Sequence, residues 1–260
     1  MELSLNLKSL ATSALGRIGY ILINRNIIAM NDAEISPGSS LIRTIYKNTK
    51  EKIGELAIDY SEPLIDSFIS DGVAKDIPIF GTLAKLASIR RSISEAIFIR
   101  KLVRFMSELE RYSESDVDDF IKRHPPGSKD ERILGENLLL AIERLDNVEK
   151  PMILARFFTA YLKSQIDYLT FTRLSGALEK FNLQLLDYLQ EFYTRNGSDP
   201  EKPEELTHEL SLAGLVTVGL QGSGTWDGSA SYKPSELGRT FLLIGFQFQP
   251  SGSHDVSTTS

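Results

Sequence analysis

Residues 89–111 read Ile89-Arg90-Arg91-Ser92-Ile93-Ser94-Glu95-Ala96-Ile97-Phe98-Ile99-Arg100-Lys101-Leu102-Val103-Arg104-Phe105-Met106-Ser107-Glu108-Leu109-Glu110-Arg111. Apolar side chains recur at steps of three and four, which is the spacing of a helix and not the alternation of a strand. They form two stripes: Ile93, Ala96, Ile99, Val103 and Met106, then Phe98, Leu102, Phe105 and Leu109. Only a narrow polar strip remains, with Lys101, Arg104 and Glu108. A helix apolar over most of its circumference is buried among others. The fold class expected is therefore mainly α: a multi-helix bundle with this segment as a central core helix.

The flanks carry the same texture. Ile42, Ile45, Tyr46, Ile53, Leu56 and Tyr60 mark one helical face, and Ser61 with Pro63 starts another helix that buries Leu64, Ile65, Phe68 and Ile69. Ser115 with Asp118 three residues later predicts a capped helix ending near His124, and Pro125-Pro126-Gly127 breaks the chain. Helices are expected over 129–145, 148–164, 167–181 and 183–193, joined by short connections. Before the bundle, residues 2–30 fit helical spacing better than strand spacing. Residues 31–40, with Pro37, Gly38 and two serines, read as a linker. The organisation expected is an N-terminal appendage and linker over 1–40, the bundle over 41–195, a small α/β unit over 196–249 and a disordered tail over 250–260.

The α/β unit is set apart by order. A short helix, Glu204 to Leu212, runs into Ala213-Gly214-Leu215-Val216. A Gly/Ser-rich hairpin tip around Trp226, a strand near 230–232 and the helix Leu237-Gly238-Arg239-Thr240-Phe241-Leu242 follow. This order resembles the second half of bacterial winged-helix domains. The resemblance implies DNA binding, but the residues at the recognition position are Glu204, Glu205 and Glu209, with no Arg or Lys. Carboxylates facing phosphates repel. The end is therefore read as a degenerate wing used for structure or protein contact.

Charge supports that reading. Residues 1–173 balance, whereas residues 174–260 hold five basic and eleven acidic side chains, so the net charge of −6 lies in the last third. An acidic third lacks the cations that neutralise phosphates, so nucleic acid is not the partner expected for it. Between Lys75 and Arg104 the balance reverses, with seven basic against two acidic residues; from Phe105 to Lys150 it is seven against twelve. A basic, apolar block beside an acidic stretch is either covered by the protein itself or offered to a partner. The candidate contact residues, for a protein partner, a homo-oligomer or an anionic membrane surface, are Lys85, Arg90, Arg91, Arg100, Lys101, Arg104 and Trp226.

No chemistry-bearing set assembles. The chain of 260 residues has no cysteine and three histidines, His124, His208 and His254. His208-Glu209 lacks the second histidine that a zinc-protease helix needs at position 212, which is Leu. His124 is read as a helix terminator. Gly222 to Gly228 lacks the Gly-Lys-Ser/Thr of a phosphate loop. Lys163 to Asp167 offers one acidic oxygen donor where calcium wants alternating ones, and Asp167 reads as a cap. Glu114, Asp116, Asp118 and Asp119 sit at a helix start, where carboxylates favour the dipole. The expectation is no catalytic residue, no metal and no cofactor. No secretory signal or membrane span is read from the sequence.

A broader resemblance rests on three stretches: Asp71-Gly72-Val73-Ala74-Lys75-Asp76-Ile77-Pro78-Ile79-Phe80-Gly81-Thr82-Leu83, then Ile99 to Phe105, then Ala160-Tyr161-Leu162-Lys163 with Ile166-Asp167-Tyr168. These words look like an uncharacterised family of bacterial helical proteins, some encoded near phage-defence or mobile-element genes. The resemblance implies a non-enzymatic interaction protein, an accessory or effector of antiviral defence acting through assembly. Membrane perturbation by the basic amphipathic segment is part of that expectation, with a cytoplasmic location that extends to the periphery of the inner membrane. The alternative is a winged-helix transcriptional regulator.

Overall fold

Ser36 sets the start of the first helix: its hydroxyl accepts from Ser39 N (3.2 Å), with Pro37 behind it at the first helical position. The structure is a computed structural model that describes residues 36–46, 77–86, 93–109, 113–197, 204–219 and 231–249. Among these residues the chain is mainly helical, with ten α-helices and one small sheet. The helices are α1 (Pro37–Tyr46), α2 (Pro78–Leu86), α3 (Ile93–Glu108), α4 (Glu114–Arg123), α5 (Lys129–Arg144), α6 (Lys150–Leu162), α7 (Tyr168–Lys180), α8 (Leu186–Thr194), α9 (Glu204–Leu212) and α10 (Glu236–Phe246). The strands are β1 (Val216–Gly219) and β2 (Ser231–Pro234). The expected elements at 2–30 and 61–69, the hairpin tip at 222–228 and the tail from 250 lie outside the described residues.

These residues fall into two compact units, one with 36–46, 77–86 and 125–137, the other with the rest. In the first, α1 corrects the linker expectation over 37–40. Proline and glycine there do not break the chain, because proline suits a first turn and glycine permits a close crossing. A Cβ built on Gly135 of α5 would fall 2.1 Å from the carbonyl oxygen of Gly38, so the two backbones touch. All of α1 except Arg43 and Tyr46 is buried, and the hydroxyls of Ser40 and Thr44 are engaged. Thr44 Oγ1 donates to Ser40 O (2.8 Å) and accepts from Ile79 N (3.1 Å), capping the start of α2, while Ser40 Oγ meets Thr82 Oγ1 at 2.7 Å. Glu131, fully buried in the first turn of α5, accepts from Gly127 N (2.6 Å) and faces Arg43 at 3.9 Å.

The second unit is organised on α6. Eleven of its thirteen residues are buried, and α3, α4, α7 and α10 all pack against it. This moves the centre away from α3, whose second half (Leu102, Val103, Phe105, Met106) is buried while Ile97 remains 39% exposed. Phe158 stands edge-on to Phe105, Phe120 and Phe171 at centroid separations of 5.7–6.0 Å, and Phe241 of α10 meets Phe157 and Phe181 at 5.4 and 5.3 Å. Edge-to-face aromatic pairs of this kind fix the helices that carry them beyond simple area burial.

Local signals decide the ends. The cap of α4 is Ser113, not Ser115: Ser113 Oγ accepts from Asp116 N (3.2 Å) and the Asp116 carboxylate accepts from Ser113 N (2.9 Å), a capping box. Ser113-x-x-Asp116 and Ser115-x-x-Asp118 are two registers of one pattern, and the earlier one holds. His124 ends α4, and Asp167 caps α7 through Thr170 N (2.7 Å), both as expected. β1 and β2 pair antiparallel with Val216 opposite Pro234 and Val218 opposite Tyr232.

Candidate functional site

The basic strip of α3 is where the sequence places a contact surface, and the structure turns much of it inward. Lys101 is 8% exposed, and its ammonium donates to Glu143 O (3.0 Å) and to Leu145 O, the unpaired carbonyls at the end of α5. Burial pushes its pKa below the usual lysine range, against the pull of Glu143 and Asp146. Of the two readings of the basic block, Lys101 takes the covered one here: a long cationic stem beside an apolar face serves as a helix cap. Arg104 binds Glu149 at 2.8 Å, and Arg100 is half-buried. The backbone of Lys85 lies in α2, but its side chain, with Arg90, Arg91 and Trp226, falls outside the described residues.

A second cluster has catalytic-looking residue types. His124 Nε2 lies 2.6 Å from Tyr161 Oη, and Arg123 crosses the rings of Phe120 and Tyr161 at 5.3 and 5.1 Å while donating to Leu162 O (2.8 Å). Burial raises the Tyr161 phenol pKa, with Arg123 opposing. These contacts join the ends of α4 and α6. Among the described residues no three His, Asp or Glu side chains are grouped to hold a metal, and no helix is long and apolar enough to cross a membrane.

Residues 186–249 remain. Tyr193, at the end of α8, is buried, and its hydroxyl proton faces the carbonyls of Leu215 and Ser235 (3.0 Å to the latter) while its oxygen accepts from Ser235 N (2.9 Å). Burial raises its pKa, partly offset by the Ser235 bonds. Ser235 Oγ donates to Gly214 O (3.0 Å) and accepts from Gly238 N (2.9 Å), capping α10. Gly214, at φ +76°, ends α9 with Leu215 N donating to Leu210 O (3.0 Å), which turns the chain into β1. One buried hydroxyl pair therefore ties α8, the β1 entry and the start of α10 into a rigid knot.

That knot presents α9. Its inward face is Thr207, Leu210 and Ala213, all buried, with Thr207 hydrogen-bonded to the hydroxyl of Tyr188. Its outward face is Glu205, His208, Glu209 and Leu212, within one arc at helical spacing. Leu212 is 63% exposed. Nothing in the sequence pointed to Tyr193 as a hub, since its partners lie 22 and 42 residues away. Comparison of the sequence with protein-family models, with curated proteins and with solved structures finds no match.

Proposed function

We propose that this chain is a non-enzymatic bacterial interaction protein, an accessory or effector of anti-phage or mobile-element defence, acting through protein assembly. The observation that carries the reading is the outward face of α9. In a winged-helix-like arrangement (helix, Gly214 turn, antiparallel hairpin, closing helix), this helix would read DNA, yet it turns Glu205, Glu209 and Leu212 outward and has no Lys or Arg. Phosphate contacts need cations, so the regulator reading loses its chemistry and protein contact gains it. The defence context is supported by the resemblance carried by residues 71–83, 99–105 and 160–168. The membrane version draws less support, because Lys101 is spent on α5 and Arg104 on Glu149.

The test is recovery of the tagged full chain from infected and uninfected cells, followed by native mass measurement. A stoichiometric complex with a protein or with further copies is the expected result. A monomer in both states overturns the reading, as does nanomolar binding to one defined duplex sequence.

A further inference from the structure

Resting on that reading, we infer that the outward face of α9 is a docking surface for a basic amphipathic helix, one with Lys or Arg at positions four apart and an apolar side chain on the next turn. Glu205 and Glu209 are one turn apart, and Leu212 lies about 10 Å along the axis from Glu205. Charge complementarity selects the partner. Elsewhere in the second unit Glu108, Glu149 and Glu191 each face an arginine at 2.7–2.8 Å. Among the described residues no cation answers Glu205 or Glu209. Leu212 supplies the apolar anchor, and the charges around it set the encounter rate and the register.

The face is also preorganised. Leu210 is fully buried, Thr207 is held by Tyr188, and the end of α9 is fixed by the Gly214 turn and the Ser235–Gly214 bond. A partner therefore meets a surface that needs little ordering, which favours affinity for a small contact.

The probe is a synthetic helix of Leu and Lys in amphipathic order, labelled and titrated against the full chain, beside a control with Glu in place of Lys. The Lys peptide binds and weakens as salt rises, and the Glu peptide does not. The E205K/E209K variant weakens binding by about tenfold or more, because like charges now meet. Leu212→Ser weakens it by at least about fivefold with little change in salt dependence, because the anchor rather than the charge is lost. Of the three positions Glu205 and Leu212 are exposed and Glu209 is half-buried, and circular dichroism checks that the variants are folded. Equal peptide binding by wild type and both variants overturns the inference, as does no binding at all. The same variants in the cell assay separate the two ideas. A complex that forms in wild type and persists in both variants sinks this surface and leaves the functional reading standing, whereas no complex in wild type sinks the functional reading.

Discussion

The hydroxyl of Tyr193 occupies the space a side chain at position 238 would need: a Cβ built on Gly238 falls 1.9 Å from Tyr193 Oη and 2.3 Å from Leu215 O. Glycine in Leu237-Gly238-Arg239 is thus set by a residue 45 positions earlier. Gly238→Ala is expected to destabilise the second unit by about 2–3 kcal/mol, since the hydroxyl and a backbone carbonyl must both shift. Tyr193→Phe costs about 1–3 kcal/mol, because it strands Ser235 N and the Leu215 carbonyl away from water. In the double variant the two losses do not add, because the closest clash disappears with the hydroxyl. Urea denaturation of the three variants checks this, and strict additivity would show that the two residues do not share the space.

Gly135 makes the same argument in the first unit. Gly135→Ala drives a methyl group into the Gly38 carbonyl at 2.1 Å, so α1 must move off α5. The expected result is faster amide exchange in α1, α2 and the first turns of α5, with protection in α6 and α10 retained. Uniform loss of protection across α6 and α10 would show that this crossing holds up more than its own unit.

Much of the helical content was legible because periodicity and capping are local. Asp167, His124 and the helix starting at Lys129 could be read from neighbouring residues alone. Tertiary demand was not legible. Residues 37–40 carry proline, glycine and serine, which signal a loop, yet they form a buried helix because Ser36 caps it and Gly135 accepts Gly38 at close range. Lys101 lies on the polar strip of α3, and only the position of the α5 terminus shows that it is a buried cap. The acidic face of α9 was legible as composition, but its rigidity depends on Tyr188 and Tyr193, whose partners are distant in sequence.

Acid should act through the caps. Asp116 is held below the usual carboxylate range by hydrogen bonds from Ser113, and Asp167 by those from Thr170. A lowered folded pKa means that the stabilisation is present above the unfolded value of about 3.9 and is lost as pH falls through the folded one. Burial raises Glu136 and Glu143, which work in the opposite direction. The comparison is therefore made one residue at a time. Asp167→Asn keeps an acceptor for Thr170 N but cannot titrate, so its stability should fall less steeply with acid than wild type. Guanidinium unfolding at stepped pH from neutral to acid measures the slopes, and identical slopes would remove Asp167 from the account.

Lys101 gives the complementary alkaline test and separates folding from partner contact. Lys101→Met leaves Glu143 O and Leu145 O at the end of α5 without their donor, at about 1–3 kcal/mol. Lys101→Glu sets a carboxylate against the same carbonyls and costs more, so charge reversal here reports on folding before it reports on any surface. Because burial lowers the folded pKa, the unfolded chain holds the extra proton between that value and about 10.4, and the Lys101 contribution to stability rises with pH across the window. Tyr161 and Tyr193, raised by burial, lose stability above about pH 10 and act in the other direction. The quantity to follow is wild-type stability minus that of Lys101→Met, in which the tyrosines cancel. It should grow as pH rises toward the ordinary lysine value. A flat difference would mean that the ammonium is solvated and available at the surface, and vesicles of anionic lipid should then bind wild type more strongly than Lys101→Met.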